Sequence, residues 1–572
     1  MLFCLGQFSH AVKQNYCMEK FKKVSMNKKQ VHESKQGFFL VFSGLMLVLS
    51  LVLFGTGEKV LAKEKQGAEQ LNLFLQPVGK VSLMYRQFFP VKKYLEKRLD
   101  ISINMRVKED LEATLRGIEK GEADIAYLDP SAYCRARHKY KVTPLVKVHK
   151  NREPHNKSAL VARKDSGLEK IVQLRGKSLA LGKRHSTSSS LMPLAMFNEI
   201  GLGLKDFSRV EYLQKEDQVA LSVLVGDFDV GGISLKTANK YRSAGLRVIK
   251  QSKPLPQYLL CVSRDMDKEL ASDLKKALLE YRPSRERMHS FAPVQDREYN
   301  IVRIALNNTT GDNYLTYPPD ALKLGILPLY SSIKMYRMFS PLAEYLTQKT
   351  GREFRLVIPK DFEEFVRIVK QNKVDFAYQN PYVFLLLNRE IDLRPLVQTV
   401  SPEPRKPRDE FRGAIIAKKD SDIRELQDLV GKKIMIVSQK SAGGHWFQKL
   451  LLQEKGIDIQ EQAEISEGKR HEQVVLAVYR GKVDAGFIRE AALSMVRETV
   501  DMQKIRVVDY TSYFPNWPLV STPGASNELI QKVEQALIEL QPVEKIKQAR
   551  ICGFNRTEYN EYLHLENLVD FK

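Results

Sequence analysis

The chain repeats itself over most of its length, and this repeat is the feature that most limits the folds it can adopt. Pro90 and Asp124 recur 251 residues later, as Pro341 and Asp375. After a four-residue insertion the offset becomes 255, and a 16-residue window that begins at Ala162 shares seven identities with its counterpart. A period this long predicts two tandem domains rather than a solenoid of short units.

Each copy of the repeat alternates short apolar runs with segments of helical periodicity. Leu71–Leu75 and Leu322–Leu327 are predicted strands, and apolar residues spaced by three and four positions after Pro341 predict a helix. Alternation of this kind predicts an α/β fold with largely parallel sheets. A second strand–helix set begins near Ala159 and Ala414, so each copy should have two lobes. Four lobes agree with a length of 572 residues at roughly 150 residues per domain.

These patterns divide the chain into four segments. Residues 1–62 form an N-terminal segment, residues 63–306 a first domain (copy one), and residues 321–572 a second domain (copy two). Residues 307–320 are rich in Asn, Thr and Pro, which predicts a linker between the two domains.

The N-terminal segment has the order of features that is typical of a secretory signal. Residues 38–54 are free of charge and follow a lysine-rich stretch, and Val60-Leu61-Ala62 places small residues where a signal peptidase cleaves. The apolar run has 17 residues, which is the lower edge of a membrane span, so an uncleaved anchor is the alternative. Both interpretations predict a periplasmic location, in the second case anchored to the inner membrane by residues 38–54.

The composition narrows the class of partner. There are 91 Lys and Arg residues against 68 Asp and Glu residues, a formal net charge of +23, which suits an anionic partner. Export argues against nucleic acid, and the basic stretch at Pro402–Arg412 is expected to be a solvated loop. The five cysteines form no CxxC pair and the histidines no HExxH motif. We therefore predict no metal site and no cofactor.

A run of hydroxyl side chains is the strongest candidate for chemistry. Ser186–Ser190 follows the predicted strand Ser178–Leu181 and precedes an apolar helical run. Ser and Thr at a helix start satisfy unpaired backbone N–H groups, and the same N–H groups with the helix dipole form an anion site. A simple helix cap is the alternative. One hydroxyl is enough for a cap, whereas five in a row next to Lys183, Arg184 and His185 exceed that need.

The order of motifs resembles the PhnD-like family of periplasmic phosphonate-, phosphite- and phosphate-binding proteins. The shared landmarks in copy one are GEADIAYLDP, the turn KDSG, LRGK before a strand, STS at a helix start, and SVLVGDFD. The resemblance covers residues 71–305 and 322–572. It implies that each copy is a type II periplasmic-binding-protein domain, a clamshell of two α/β lobes with a hinge, and that the ligand lies in the cleft.

The resemblance also implies positions for the ligand-binding residues. In copy one the ligand's oxyanion would contact the Ser-Thr-Ser run. In copy two this run is replaced by Ser441-Ala-Gly443-Gly444. Core packing of Tyr127 and a loop or helix cap at Asp229 are the structural alternatives at those two positions. The predicted ligand-binding residues are Ser186, Thr187, Ser188, Tyr127, Glu216 and Asp229 in copy one, and Tyr378, Ser441, Gly443, Gly444, His471 and Asp484 in copy two.

Two functions remain open from the sequence. The first is an exported solute-binding protein that captures a small oxyanion for the permease of an ABC importer. The alternative is an extracytoplasmic sensing module that signals to a membrane partner. An enzyme is not predicted, because the sequence offers no nucleophile–base pair. The resemblance implies a histidine at this position, where copy one has Glu216 and copy two has His471, so the two clefts are expected to differ in ligand or affinity.

Overall fold

The computed structural model describes residues 70–566, with gaps at 79, 150–155, 284–289, 403–407, 541–545 and 547. By its contacts the chain divides into Met1–Gly67 and Ala68–Lys572, and all described residues belong to the second unit. The signal or anchor predicted for residues 1–62 therefore lies outside the described residues. Among the helices of the described ranges, none combines the length and the apolar character needed to cross a membrane.

Copy one contains eleven strands and eight helices in its described residues. Its strands are β1 (Gln70–Leu75), β2 (Ser102–Val107), β3 (Ile125–Leu128), β4 (Thr143–His149), β5 (Ser158–Arg163), β6 (Ser178–Leu181), β7 (Arg209–Tyr212), β8 (Val230–Ser234), β9 (Leu246–Gln251), β10 (Leu259–Val262) and β11 (Ser290–Ala292). Its helices are α1 (Val81–Leu99), α2 (Leu111–Glu119), α3 (Pro130–Tyr140), α4 (Met192–Asn198), α5 (Glu216–Val225), α6 (Leu235–Lys240), α7 (Lys268–Glu280) and α8 (Asn300–Thr310).

Copy two has matching elements in its described residues. Its strands are β12 (Leu322–Ile326), β13 (Phe354–Val357), β14 (Phe376–Tyr378), β15 (Arg394–Val400), β16 (Glu410–Phe411), β17 (Gly413–Lys418), β18 (Lys433–Ile436), β19 (Glu464–Glu467), β20 (Ala485–Arg489), β21 (Ile505–Tyr510), β22 (Phe514–Pro515), β23 (Pro518–Ser521) and β24 (Gly553–Arg556). Its helices are α9 (Ser332–Thr350), α10 (Phe362–Lys370), α11 (Pro381–Asn388), α12 (Trp446–Glu454), α13 (Ile459–Gln462), α14 (His471–Tyr479), α15 (Ala491–Met495), α16 (Asn527–Ile538) and α17 (Asn560–Glu566).

Each copy folds into two lobes, and each lobe is built on one sheet. In copy one the strand orders are β2-β1-β3-β10-β4-β11 in the first lobe and β7-β6-β8-β5-β9 in the second. In copy two they are β13-β12-β14-β23-β15-β24 and β19-β18-β20-β17-β21, which is the same order strand for strand. The chain crosses between the lobes twice in each copy. The predicted duplicated two-lobed α/β fold is confirmed.

The sheets are mixed, whereas the sequence predicted largely parallel ones. The parallel part of each sheet has three strands, such as β2, β1 and β3 in the first lobe of copy one. The strands next to them, β10 and β5, pair antiparallel to β3 and β8. Strand β5 follows the first crossing between the lobes, and β10 follows the second. Each is the first strand that the chain forms on entering a sheet from the other lobe, and it runs opposite to the parallel strands there.

An aspartate joins two neighbouring parallel strands in all four lobes. Its Oδ2 atom accepts a hydrogen bond from a backbone N–H of the adjacent strand. The pairs are Asp124 with Asn72 at 2.7 Å, Asp229 with Ser178 at 2.9 Å, Asp375 with Lys323 at 2.7 Å and Asp484 with Lys433 at 2.8 Å.

The residue three positions before each of these aspartates adopts a left-handed backbone conformation. The φ angles are +70° at Gly121, +90° at Gly226, +50° at Asn372 and +66° at Gly481. Glycine takes this conformation at no steric cost and asparagine tolerates it, which explains the residue choice. The recurring G-x-x-D pattern is therefore a device that ends a helix and fixes the start of the next strand.

Helix α8 joins the two copies through a buried charge. It runs to Thr310, so the first four residues of the predicted linker are helical. Arg303 is fully buried, and its Nη2 atom lies 2.5 Å from Asp296 Oδ1 while its Nη1 atom donates to Asn300 Oδ1 at 2.7 Å. The Asn300 side chain in turn donates to the hydroxyl of Tyr336, on α9 of copy two, at 3.0 Å. The junction is a packed, hydrogen-bonded contact.

Replacing Arg303 should destabilise this junction strongly. An Arg303→Met substitution leaves Asp296 without its buried partner, and we expect a loss of about 3 kcal/mol in unfolding free energy. Urea denaturation of the full chain, with hydrogen exchange to localise the change to α8, measures it.

The matched control is Arg175→Ala, which removes an ion pair to Asp206 at a site where the arginine side chain is 37% exposed. We expect a loss of about 1 kcal/mol or less, as for other solvated ion pairs. Equal losses in the two variants would contradict the role that burial gives to Arg303.

Candidate functional site

The carboxyl ends of the parallel strands in the two lobes of each copy face one another across a cleft. In copy one, Asp129 directly follows β3 of the first lobe, and Thr187 lies beyond the carboxyl end of β6 in the second lobe. Their side chains are hydrogen-bonded, with Thr187 Oγ1 donating to Asp129 Oδ2 at 2.9 Å. Residues that follow these strands are therefore the ones that line the cleft, as in other open α/β sheets.

Three hydrogen bonds join Asp129 and Ser131 of the first lobe to Thr187 of the second and close the cleft of copy one. Besides the bond from the Thr187 hydroxyl, the Thr187 backbone N–H donates to the same Asp129 Oδ2 at 3.1 Å. The Ser131 N–H donates to Thr187 Oγ1 at 2.9 Å. Burial raises the pKa of Asp129, and the hydrogen bonds from Ala132 and Thr187 act in the opposite direction. The donors directed at this carboxyl group stabilise its ionised form.

A second carboxylate, Glu216, accepts hydrogen bonds at the start of α5. Ser188 Oγ donates to its Oε1 atom at 3.2 Å, and Thr237 Oγ1 donates to its Oε2 atom at 2.6 Å. The hydroxyl of Ser234 also donates to Oε2. The negative charge that replaces the expected histidine is thus held by three hydroxyl groups of the second lobe.

The hydroxyl cluster, Ser186–Ser190, both caps a helix and donates hydrogen bonds in the cleft. Ser186 caps the helical turn Thr187–Leu191, which leads directly into α4, because its Oγ atom accepts from the Ser189 N–H at 3.4 Å. Thr187 and Ser188 point at carboxylates of the chain itself. The contact of Ser186, Thr187 and Ser188 with a bound oxyanion stays a prediction, and in this closed conformation Asp129 and Glu216 accept the hydrogen bonds that such a ligand would need.

The two predicted cleft aromatics are packed inside the first lobe of each copy. Tyr127 is 3% exposed, and its ring stacks on Tyr258 with centroids 5.4 Å apart. Tyr378 is 3% exposed, and its hydroxyl lies 2.8 Å from the Thr399 hydroxyl. Burial raises the pKa of both tyrosines. The structure shows core packing at both positions, and contact with a ligand stays a prediction.

Asp229 and Asp484 do not lie where the sequence placed them. Both precede a strand, β8 and β20 respectively, and both bond to the beginning of the neighbouring parallel strand. They therefore sit at the opposite end of the sheet from Thr187, which follows a strand. The predicted cleft position of these two aspartates is wrong, because their pattern belongs to the strand-joining device found in all four lobes.

In copy two the glycine segment that replaces Ser-Thr-Ser is closely packed. A Cβ atom on Gly443 would lie 2.8 Å from the Phe411 ring, and one on Gly444 would lie 2.6 Å from Val437 and 3.0 Å from the His471 ring. Contacts this short mean that a neighbouring side chain would have to shift before either position could carry a Cβ atom. Ser441 is 2% exposed next to them. The segment can present only backbone groups to a ligand, and that role stays a prediction.

His471 is a neutral residue in this cleft. Its Nδ1 atom accepts a hydrogen bond from the Arg489 backbone N–H at 3.0 Å, so the ring proton must be on Nε2. Burial, together with the nearby Arg489 charge, lowers its pKa to about 3. Any positive charge in the cleft of copy two at neutral pH therefore comes from other side chains.

Those side chains are arginines around a cavity of about 320 Å³ in copy two. We call it the arginine pocket. It lies where the first lobe, the second lobe and the segments that cross between them meet. It is lined by Ser401, Phe411, Arg412, Arg489, Glu490, Ala491, Leu493, Ser494, Arg497, Tyr510 and Arg550. The lining contains four arginines and one carboxylate, Glu490, so its formal charge is +3.

Contacts with neighbouring residues hold three of the guanidinium groups in place, those of Arg412, Arg489 and Arg550. Arg412 forms two hydrogen bonds with Glu490, at 2.7 and 3.0 Å. Arg550 donates to Ser494 Oγ at 3.1 Å. The Arg489 guanidinium lies 4.6 Å from the centre of the Phe411 ring and donates to Asn516. Such fixed groups bind an anion with little loss of side-chain entropy.

A buried amide follows the carboxyl end of a parallel strand in the first lobe of copy two. Gln379 directly follows β14 and is fully buried, and neither polar atom of its side chain has a hydrogen-bond partner in the described part of the chain. Buried polar groups without a partner in a protein commonly bind water or a ligand. Sequence patterns missed both features, because the four arginines come from separate segments and Gln379 belongs to no motif.

Comparison with known proteins agrees with the fold and the repeat. The family model for the periplasmic phosphonate substrate-binding protein of ABC transporters matches residues 75–301 and again 324–562. The tetrathionate sensor histidine kinase TtrS of Salmonella typhimurium is 24% identical over 37% of this chain and 38% of its own length. The phosphate-import protein PhnD of Mycolicibacterium smegmatis is 26% identical over 32% of this chain and 57% of its own length.

This chain thus spans less than two thirds of either relative. Among solved structures, a binding protein component of an ABC phosphonate transporter from Pseudomonas aeruginosa is similar at 18% identity and a TM-score of 0.39, over 43% of this chain and 85% of its own. Because the family model matches twice and covers most of the chain, the protein belongs to the periplasmic phosphonate-binding family of ABC transporters, as a tandem duplication of its domain.

Proposed function

We propose that the chain is an exported solute-binding protein that captures a small oxyanion of the phosphonate, phosphite or phosphate type and delivers it to an ABC importer. The arginine pocket of copy two is the observation that supports this function best. No bond is made or broken. The work is the transfer of an anion from water to a site of opposite charge, with the two lobes closing around it.

The chemistry of the pocket suits a tetrahedral oxyanion. A guanidinium group donates two parallel hydrogen bonds to a carboxylate or a phosphate, which a single ammonium group cannot do. Ser401, Ser494 and Tyr510 add hydroxyl groups to the lining. A volume of about 320 Å³ is at the small end of the range for ligand sites, which favours a small anion over a large organic one.

Anion binding should raise the thermal stability of the full chain and depend on the pocket arginines. We expect phosphate, phosphite or methylphosphonate to raise the melting temperature, because a ligand that binds only the folded state stabilises it. Arg489→Gln and Arg497→Ala should each weaken binding about 10- to 100-fold, the effect of losing a hydrogen bond to a charged group. Calorimetric titration gives the affinities.

Arg264→Ala is the matched control, since this arginine is 65% exposed in copy one and pairs with its neighbour Asp265. It should leave the affinity unchanged. The proposal fails if none of these anions binds, or if the two pocket variants bind as tightly as the control.

The sensing alternative shares the capture step and differs in the partner. One of the two curated relatives above is named as a sensor histidine kinase, and the other as a phosphate-import protein. Both roles need a cleft that closes on a ligand. The two functions therefore differ in whether the ligand is imported into the cell or only changes the activity of a membrane partner.

Loss of the chain should abolish uptake of the ligand if it serves an importer. In a strain that lacks the chain, we expect import of radiolabelled phosphite or phosphate at micromolar concentration to fall. Re-expression of the original chain should restore import, and Arg489→Gln should not. Normal import together with loss of a ligand-dependent change in transcription would instead support the sensing function.

A further inference from the structure

The cleft of copy one already contains an acidic group, and it belongs to the chain. Asp129 comes from the first lobe, and its Oδ2 atom accepts from the backbone N–H and the hydroxyl of Thr187 in the second lobe. These are the donors that a bound oxyanion would use at the start of this helix. The other oxygen, Oδ1, caps α3 by accepting from the Ala132 N–H at 2.7 Å. Both oxygens of the carboxylate are therefore engaged.

Contacts within the first lobe also fix the position of Asp129. Its backbone N–H donates to Gln76 Oε1 at 2.8 Å, and the side chain is 2% exposed. The Ser131 N–H, on the same turn, donates to Thr187 Oγ1 at 2.9 Å. The contact is thus a set of three hydrogen bonds between the lobes, made by groups that are buried and held by their own neighbours. A chance surface contact would leave some of these groups exposed.

Charge makes this arrangement incompatible with a second anion. Glu216, the first residue of α5, lies against the hydroxyl cluster, where Ser188 donates to it at 3.2 Å. An incoming oxyanion would meet two carboxylates and would have to displace one of them from its donors. Two like charges within about 4 Å at a partly buried site repel enough to weaken binding about a thousandfold.

Copy two offers the contrast at the same position. Asn380, 251 residues after Asp129, caps α11 by accepting from the Val383 N–H at 2.9 Å, as Asp129 caps α3. Its Nδ2 atom donates across the cleft to the Lys440 carbonyl at 3.2 Å. Copy two therefore keeps a hydrogen bond between its lobes at this position, but the residue that makes it, Asn380, carries no charge. An anion in copy two therefore meets no carboxylate from this position.

We propose that the Asp129 carboxylate takes the place of a ligand's oxyanion in copy one, holding that clamshell closed without ligand and excluding anions from it. Asp129 is then a specificity-determining residue, and anion capture belongs to copy two alone. This inference concerns a different cleft from the one that carries the proposed function, so the two can fail separately.

The decisive variant is Asp129→Asn, because asparagine is as good a helix cap but carries no charge. Its amide can no longer accept both donors of Thr187, so the cleft should loosen and admit an anion. The matched control is Asp110→Asn, the same substitution at the cap of α2, where Asp110 accepts from the Ala113 N–H at 2.7 Å on the surface.

Calorimetric titration of the full chain with phosphite and phosphate tests the exclusion. We expect one site per chain for the original sequence and for Asp110→Asn, and two for Asp129→Asn. When Arg489→Gln is added to weaken the copy-two site, binding at the original affinity should persist only in the chain with Asp129→Asn. Two sites in the original chain, one of them lost in Thr187→Ala, would overturn the inference.

Hydrogen exchange on the anion-free chain tests the closed state whether or not anything binds. Peptides that cover residues 128–134 and 183–191 lie on opposite lobes, and both should be protected in the original chain. Thr187→Val removes the hydroxyl but keeps the shape, and it should speed exchange about tenfold or more in both peptides. Exchange that is unprotected in the original chain, or unchanged in both Thr187→Val and Asp129→Asn, would refute the closed state.

Discussion

The clefts depend on one geometric constraint, which is that the parallel strands of two facing sheets end toward each other. Side chains that follow these strands meet across the cleft, and side chains that precede them lie at the far edge. Thr187, which follows β6, reaches Asp129 of the opposite lobe, whereas Asp229, which precedes β8, bonds to Ser178 of its own sheet. The rule is general for open α/β sheets. It decides which of two polar residues in one lobe can meet a ligand.

Within this common frame the two copies differ in charge at equivalent positions. Three cleft residues of copy one correspond to residues of copy two at the offsets that the repeat defines. The pairs are Asp129 and Asn380, Glu216 and His471, and Ser234 and Arg489. The same positions are hydrogen-bonded in both copies through different groups, since the Ser234 hydroxyl donates to Glu216 and the Arg489 backbone N–H donates to His471. With His471 neutral, the formal charges at these three positions sum to −2 in copy one and to +1 in copy two.

The sequence predicted the architecture well because the fold is set by patterns that repeat. The strand predicted at Ser178–Leu181 matches β6, and the hydroxyl run lies at the cleft as expected. The error at Asp229 and Asp484 has a clear cause. The same G-x-x-D spacing occurs at Asp124, where no ligand role was assigned, and at Asp375 it differs only by Asn372 in place of glycine. That fourfold recurrence was the available signal for a structural role.

The arginine pocket was beyond the reach of sequence patterns for a physical reason. Its cations lie on four segments that are up to 138 residues apart, from Arg412 to Arg550, and only the double crossing between the lobes brings them together. The partner of Thr187 was missed for a similar reason. Asp129 looks like an ordinary helix cap, which it also is, and nothing local shows that its second oxygen meets the opposite lobe.

If copy one stays closed, copy two opens and closes next to a domain that keeps its shape. Helix α9 of copy two packs on α8 of copy one, where Tyr336 accepts a hydrogen bond from Asn300. The same helix begins at the cleft of copy two, since the Ser331 N–H at its start donates to Glu472 of the opposite lobe at 2.9 Å. Glu472 is the immediate neighbour of His471. On the proposal that copy one stays closed, closure of copy two on a ligand is linked through α9 to a domain of fixed shape.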